Sequence, residues 1–412
     1  MNCRIGIIGG GAAGLFAACQ FKRLSDPGSV SVTLIEKNPL PGKKLILTGH
    51  GRCNITNLKD ASVLKTGYHE AGNFIYPALK EFGSADTMSF FTDTLGLKLK
   101  EEENNRIFPV CDSAVRVRDT LVSYISDSVL NASGTKVLSI RKASDFEVVT
   151  DKGTFNFDCI ILSCGGSSFT KTGSTGDSYR FARSLGHTVN PVKGALVPVK
   201  ADASSACLCR SLSGVSVNAG VSVFCGDRKT ASLAGELLFA DFGLTGPAVM
   251  EIAREIPSDV SGTFIELDLV PSMNDEAFDR ELLRLIGEHP DTKIVTLLSR
   301  YVPSSVASAV ASRADAADLY AQGFTKDSRK RVVCGMKHLR IGIARAPELE
   351  AAYVTRGGVS LKEVDRKTMQ SKLIPGLYII GEALDIDGIS GGYNLQACMS
   401  EAYLAVKSIL NQ

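Results

Sequence analysis

Near the start of the chain the hydrophobic positions form a block, Ile5-Gly-Ile-Ile8, which breaks into Gly9-Gly-Gly-Ala-Ala-Gly14 before an apolar run from Leu15 to Phe21. A short continuous apolar run ended by glycines reads as a strand buried on both faces, the kind used by parallel sheets. The spacing after it is helical, so the opening predicts strand, tight turn, helix. A second apolar strand, Val30 to Glu36, ends in an acid, and a third block, Asp158-Cys-Ile-Ile-Leu-Ser-Cys-Gly-Gly166, again runs into glycines. Between them, Phe74, Leu79, Phe82, Met88, Phe91 and Leu95 predict a helix over 73–95, and Val117, Leu121, Ile125 and Val129 another over 114–130. Period-two runs at 135–140, 146–150 and 153–157, with a turn at Asp151-Lys-Gly153, predict an antiparallel meander.

The pattern changes beyond Pro191. Short alternating runs at 214–218, 221–224 and 263–269 predict a small β barrel or sheet, and 272–336 turns helical and charged. Strands return at 340–344 and 352–355, and Leu377 to Gly381 re-enters the first pattern. The expected organisation is an α/β dinucleotide-binding domain over 1–190 and 356–412. A β-rich substrate domain over 191–271 and 337–355 and a helical subdomain over 272–336 are inserted into it.

The first turn carries chemistry. In Gly9-x-Gly11-x-x-Gly14 the first glycine permits a sharp turn, the second lets backbone approach a pyrophosphate, and the third lets helix pack on strand. The helix start at Ala12 and Ala13 offers free N–H groups and a positive dipole end to phosphates. Glu36, followed by Lys37, closes the second strand where a carboxylate suits a ribose 2′-hydroxyl. These features point to an adenine dinucleotide.

Composition narrows the rest. With 44% hydrophobic and 22% charged residues in 412, the chain reads as globular and multidomain. A net charge of +2 gives no global reason to invoke nucleic acid or an anionic membrane. No apolar run reaches membrane-spanning length and the first strand begins at residue 4, so a cytoplasmic protein without a targeting segment is expected. Eleven cysteines lack a CxxC pair, which disfavours a zinc site and suggests reduced thiols.

Five separated motifs then match a family. They are the glycine turn; Gly42-Lys-Lys-Leu-Ile-Leu-Thr-Gly-His-Gly-Arg-Cys-Asn-Ile-Thr-Asn57; Arg106-Ile-Phe-Pro109 with Thr172-Gly-Ser-Thr-Gly-Asp177; Gly235-Glu-Leu-Leu-Phe239 with Gly243-Leu-Thr-Gly-Pro247; and Gly381-Glu-Ala-Leu-Asp-Ile-Asp-Gly-Ile-Ser-Gly-Gly-Tyr-Asn-Leu-Gln396. Over nearly its full length the chain resembles the HI0933-like bacterial flavoproteins, whose members include FAD-dependent oxidoreductases, aminoacetone oxidases and bile-acid dehydro-steroid reductases. The resemblance implies a Rossmann-like FAD domain of the two-dinucleotide type. It implies that Glu382, after Gly381, meets the ribityl chain, and that Gly391, Gly392, Tyr393, Asn394 and Leu395 open a helix towards the flavin N1–C2=O edge. A positive helix end there would stabilise a reduced, anionic flavin. Lys43, Lys44 and Arg52 place positive charge in a glycine-rich loop, which reads either as a solvated basic loop or as a clamp over pyrophosphate and flavin with Gly49 and Gly51 allowing backbone contact; Cys53 and Asn54 of the same motif are expected at the cofactor. The adenine edge is expected against the backbone at Val137, and Cys164, Gly165 and Gly166 close a strand end beside the cofactor. Cys53 and Cys164 themselves read as packed thiols. Two positions depart from the family pattern: His50 replaces a glycine, and Ser400-Glu401 replaces a small Ser-Gly pair. His50 reads either as a surface residue or as an imidazole beside the flavin.

No second GxGxxG is present, so NAD(P)H or O2 would have to reach the flavin face directly. The leading expectation is a flavoenzyme passing a hydride between flavin N5 and a small organic substrate, with the 191–355 insert as its lid. A NAD-dependent dehydrogenase is one alternative. A flavin-dependent RNA-modifying protein is another, resting on the basic stretch from Arg329 to Arg340. No catalytic acid or base and no metal site is legible, and substrate and oligomeric state are open.

Overall fold

In a computed structural model, residues 3–412 are described. The chain divides into two compact units, 1–194 with 353–412, and 195–352.

The first unit is organised by a parallel sheet. Strand β1 (Cys3–Ile8) is followed by helix α1 (Ala12–Leu24) and strand β2 (Val30–Glu36). Strands β3 (Val129–Ser133), β4 (Cys159–Leu162) and β5 (Leu377–Ile379) complete it in the order β5-β4-β1-β2-β3, with every neighbouring pair parallel. The central strands are buried on both faces, which explains their unbroken apolar sequence: Ile5, Ile7, Leu34, Ile160 and Ile161 are fully buried. The closing helix, Tyr393–Leu410, packs along α1 and buries Ala402, Ala405 and Val406. Small residues on both helices, Ala17 and Ala18 on one side and Ala402 and Ala405 on the other, allow that close approach.

Two helix expectations are corrected. The helix expected over 73–95 is Gly72–Glu81, then Ser84–Ser89 and a wide turn over Phe90–Thr94. The break falls at Phe82-Gly83, where the Asp86 carboxylate accepts the Gly83 N–H at 2.8 Å and starts the chain afresh. The helix expected over 114–130 stops at Ile125, because Val129 belongs to β3 and pairs with Val32. A buried strand residue and a buried helix residue give the same apolar signal at an element's end. The meander over Val137–Lys142, Phe146–Thr150 and Gly153–Phe157 forms a separate antiparallel sheet.

The second unit is a six-stranded antiparallel sheet built on the long hairpin Ser216–Cys225 and Arg228–Ala240. Its first and last strands, Val199–Lys200 and Leu339–Gly342, meet through an antiparallel bridge between Ala201 and Ile343, so the sheet curls shut. Helices Asp275–Glu288, Ile294–Leu298, Ser304–Arg313 and Lys326–Lys337 share one apolar core with this barrel. The basic stretch from Arg329 to Arg340 is largely neutralised within the unit. Arg329 pairs with Asp279, Lys337 with Asp268, His338 with Asp275 and Glu266, and Arg340 with Glu266. It is not a free cationic face. No helix among the described residues is long and apolar enough to cross a membrane.

Candidate cofactor site

The first unit holds a cleft enclosing about 1330 Å³ of empty space, its open mouth included. It begins at the turn after β1. Gly9 adopts φ 107°, and a β-carbon there would lie 2.7 Å from the Cys164 backbone. A β-carbon on Gly14 would overlap the Gly9 carbonyl oxygen. These two glycines are required by the fold. Gly11 differs: its φ is −74° and a β-carbon would meet nothing within 4 Å. Gly11 therefore borders open space just where α1 begins, with Ala12 and Ala13 lining the same cleft and no side chain capping the helix. Free N–H groups of a first helical turn facing an empty cavity suit a pyrophosphate.

Glu36 lines the cleft but is also structural. Its Oε2 accepts the Gly10 N–H at 2.7 Å, and its Oε1 accepts from Asn38 N and Nδ2. Lys37 Nζ pairs with Asp177 at 2.6 Å and donates to Thr175. Val137 lines the wall next to Thr135 and Lys136. Cys164 and Gly165 reach the cleft, whereas Gly166 lies outside its lining, with no room for a side chain beside Thr355. The Cys164 thiol donates to Ile8 O, and burial pushes its pKa up to about 12, so it is a packed group.

A second wall is made of side chains. Lys44 Nζ donates to Glu382 Oε2 and Ser168 Oγ, both at 2.7 Å. Glu382 Oε1 also accepts from Thr355 N at 2.5 Å and from Ser168 Oγ at 3.1 Å. The pair is less than a quarter exposed, so its charges are held in a fixed geometry. Lys43 is exposed at the same rim. Gly381, Asn394 and Leu395 line the cleft where the closing helix starts, and no side chain caps that helix.

Several expected positions lie elsewhere. Arg52 is tied to Glu102 and Asp112 and lies outside the lining, whereas Lys43 and Lys44 line the cleft. Gly51 lies outside the lining, and Cys53 is fully buried, with burial pushing its thiol up to about 12. The Asn54 amide links Gly392 N–H to the carbonyls of Thr56 and Ile107. Tyr393 turns inwards, its ring edge-on to Tyr68 at 5.7 Å and its carbonyl accepting the Tyr68 hydroxyl. Gly391 and Gly392 shape the turn: both have φ 100°, and Gly392 backs onto the Thr56 backbone. His50 is exposed in a left-handed turn and outside the cleft wall.

Sequence reasoning missed Ser168 and Thr355, which carry no motif of their own, and gave no role to Asp177, although it ends the quoted Thr172–Asp177 motif. It registered Glu401 only as a departure from pattern. The usable signal was an acid inside the apolar run Ala397-Cys-Met-Ser-Glu-Ala-Tyr-Leu-Ala405. Glu401 lines the cleft with its side chain fully buried.

The chain is a flavin-dependent oxidoreductase with FAD as cofactor, and the cleft on its parallel sheet, with two uncapped helix starts, fits that cofactor. The HI0933-like protein Rossmann domain matches residues 3–408, and the chain belongs to that family. It is 32% identical over 410 residues to a 3-dehydro-bile acid delta(4,6)-reductase of Clostridium scindens, covering 98% of each chain. It is 31% identical over 415 residues to a ribosomal RNA dihydrouridine synthase of Haemophilus influenzae, again covering 98% of each. Among solved structures, a 3-ketosteroid delta1-dehydrogenase of Sterolibacterium denitrificans shares the fold with a TM-score of 0.52 at 13% identity, over 99% of both chains. A quinol fumarate reductase chain of E. coli gives 0.51 at 14%, over all of this chain and 70% of that one. The NAD-dependent dehydrogenase alternative falls with this assignment.

Proposed function

We propose that the chain reduces a carbon–carbon double bond conjugated to a carbonyl in a small organic molecule, with FAD along the cleft and NAD(P)H as electron source. The observation that carries this reading is that two relatives above 30% identity bear names denoting one chemistry. A 3-dehydro-bile acid with delta(4,6) bonds and a uracil ring both present a double bond beside a carbonyl, and both products are saturated. FAD, when bound, supplies a hydride at N5 for the carbon distal to the carbonyl, while the proximal carbon takes a proton.

The chain's own groups have separable tasks. The α1 start at Gly11, Ala12 and Ala13 would hold the pyrophosphate, and Glu36 with the Val137 backbone the adenosine. Lys44 and Glu382 would hold the ribityl stretch. The first turn of the closing helix would place its N–H groups and positive dipole end against the N1–C2=O edge, favouring added negative charge. Every residue lining the cleft belongs to the first unit. Substrate selection is the proposed task of residues 195–352.

A uracil ring in RNA is the second reading, supported by the Haemophilus relative and by an E. coli relative of the same name at 28% identity. The largely neutralised basic stretch from Arg329 to Arg340 and the overall charge of +2 favour the small molecule. Anaerobically reduced enzyme, mixed separately with a conjugated dienone, its saturated ketone and a uridine-rich RNA, tests both. Return of the oxidised-flavin spectrum with the dienone alone supports the proposal, and return with RNA alone supports the second reading. Reoxidation by neither, with O2 still effective, overturns reduction of conjugated double bonds.

A further inference from the structure

Glu401 stands out among the described ionisable groups of the first unit. It is fully buried, its Oε2 accepts the Gly381 N–H at 2.5 Å, and its Oε1 has no partner. A buried carboxylate oxygen without a partner is costly, and the group avoids that cost by keeping its proton. Asn394, Ala397, Cys398 and Glu401 follow one another at helical spacing and together line the cleft. Next to Glu401, a β-carbon on Gly381 would touch Ala13 at 3.0 Å and the Cys398 thiol at 3.5 Å. The carboxyl thus sits where the start of α1 meets the turn carrying Glu382, between the pyrophosphate and ribityl positions proposed above.

We infer that Glu401 is a cofactor-binding residue that acts as an uncharged acid, its Oε1 proton donated to an oxygen of the pyrophosphate–ribityl stretch of FAD, so that FAD binds to the protonated form of the protein. The surroundings agree. Burial pushes the carboxyl up to about 8, and the Gly381 N–H offsets this in part. The titratable groups facing it are the Tyr68 hydroxyl and the Cys398 thiol, both kept protonated by burial. Beyond Cys398 lies the Lys44–Glu382 pair, whose charges balance. Among the described residues, no cation stands next to Glu401 to favour its ionised form. Once ionised, it would place a negative charge beside two phosphates in a medium of low dielectric.

The inference rests on FAD occupying this cleft, and the test separates the two claims. FAD is titrated into apo-protein across pH, and proton uptake is measured by calorimetry in buffers of different ionisation enthalpy. Wild type should lose affinity about tenfold per pH unit above the carboxyl's pKa and take up one proton per FAD there. Glu401→Gln keeps a donor in nearly the same shape, so it should bind with flat affinity and no uptake. Glu401→Ala should bind more weakly at every pH, also without the slope. Parallel profiles for wild type and Glu401→Gln, or no proton uptake by wild type, overturn the role of Glu401. Unchanged FAD binding in Gly11→Val would instead overturn the cleft as the FAD site.

Discussion

At the glycine turn the cleft wall is mostly backbone, and its parts lie close in sequence: Gly9 to Gly14 are contiguous, and Glu36 reaches Gly10 from 26 positions away. The other wall is made of side chains that only folding brings together. Lys44 and Glu382 are 338 residues apart, and Ser168 and Glu382 are 214 apart. The first wall offers backbone geometry that local sequence imposes, whereas the second offers charge that burial holds in place. Damage to the first should therefore be steric and severe, and damage to the second graded and dependent on pH.

The most severe test sets two glycines against each other. Gly11→Val should abolish FAD retention while apo stability stays within about 0.5 kcal/mol, because the new side chain enters open space with no backbone strain. Gly14→Ala should cost about 3 kcal/mol in folding, because its β-carbon overlaps the Gly9 carbonyl. Flavin stoichiometry and thermal melts of both variants measure this. Equal melting losses would erase the distinction between phosphate space and packing space.

Across the cleft, Glu382→Ala strands the Lys44 ammonium, the Thr355 N–H and the Ser168 hydroxyl. FAD affinity should fall by about 1.5–3 kcal/mol, roughly ten- to a hundredfold, with the fold retained. An undiminished affinity would mean that the side-chain wall is scaffold rather than binding surface.

Glu36→Ala should show a smaller loss of affinity, because part of its effect goes into the turn it braces through Gly10 and Asn38. Comparing apo melting with FAD titration separates the two parts. A pure affinity loss with an unchanged apo melt would return Glu36 to a purely ribose-facing role.

Thermodynamic linkage at Glu401 adds a pH-dependent term to folding. A carboxyl raised from 4.5 to about 8 on folding contributes stability fully present below pH 4.5 and lost as pH rises towards 8. Apo Glu401→Gln should therefore gain on wild type across that window and then run parallel to it. A constant gap in melting temperature from pH 4.5 to 8 would show that the buried acid does not hold its proton.

The residues that dictate backbone form were legible by themselves. Apolar blocks fixed β1, β2 and β4, the glycines fixed the turn, and the acid at the end of β2 lines the cleft beside it, since each effect acts within a few residues of its cause. Helix ends were less legible, because Val129 looks the same to a periodicity whether it ends a helix or opens a strand. Tertiary structure alone decided which charges meet. Arg52 and Lys44 come from one loop, yet Arg52 turns to Glu102 and Asp112 while Lys44 meets Glu382. It also decided that Glu401, an ordinary acid in the sequence, is buried in the cleft wall with one oxygen bonded to Gly381 N–H and the other unpartnered. Burial and the partners available over hundreds of residues determine charge and protonation, and neither is a property of local sequence.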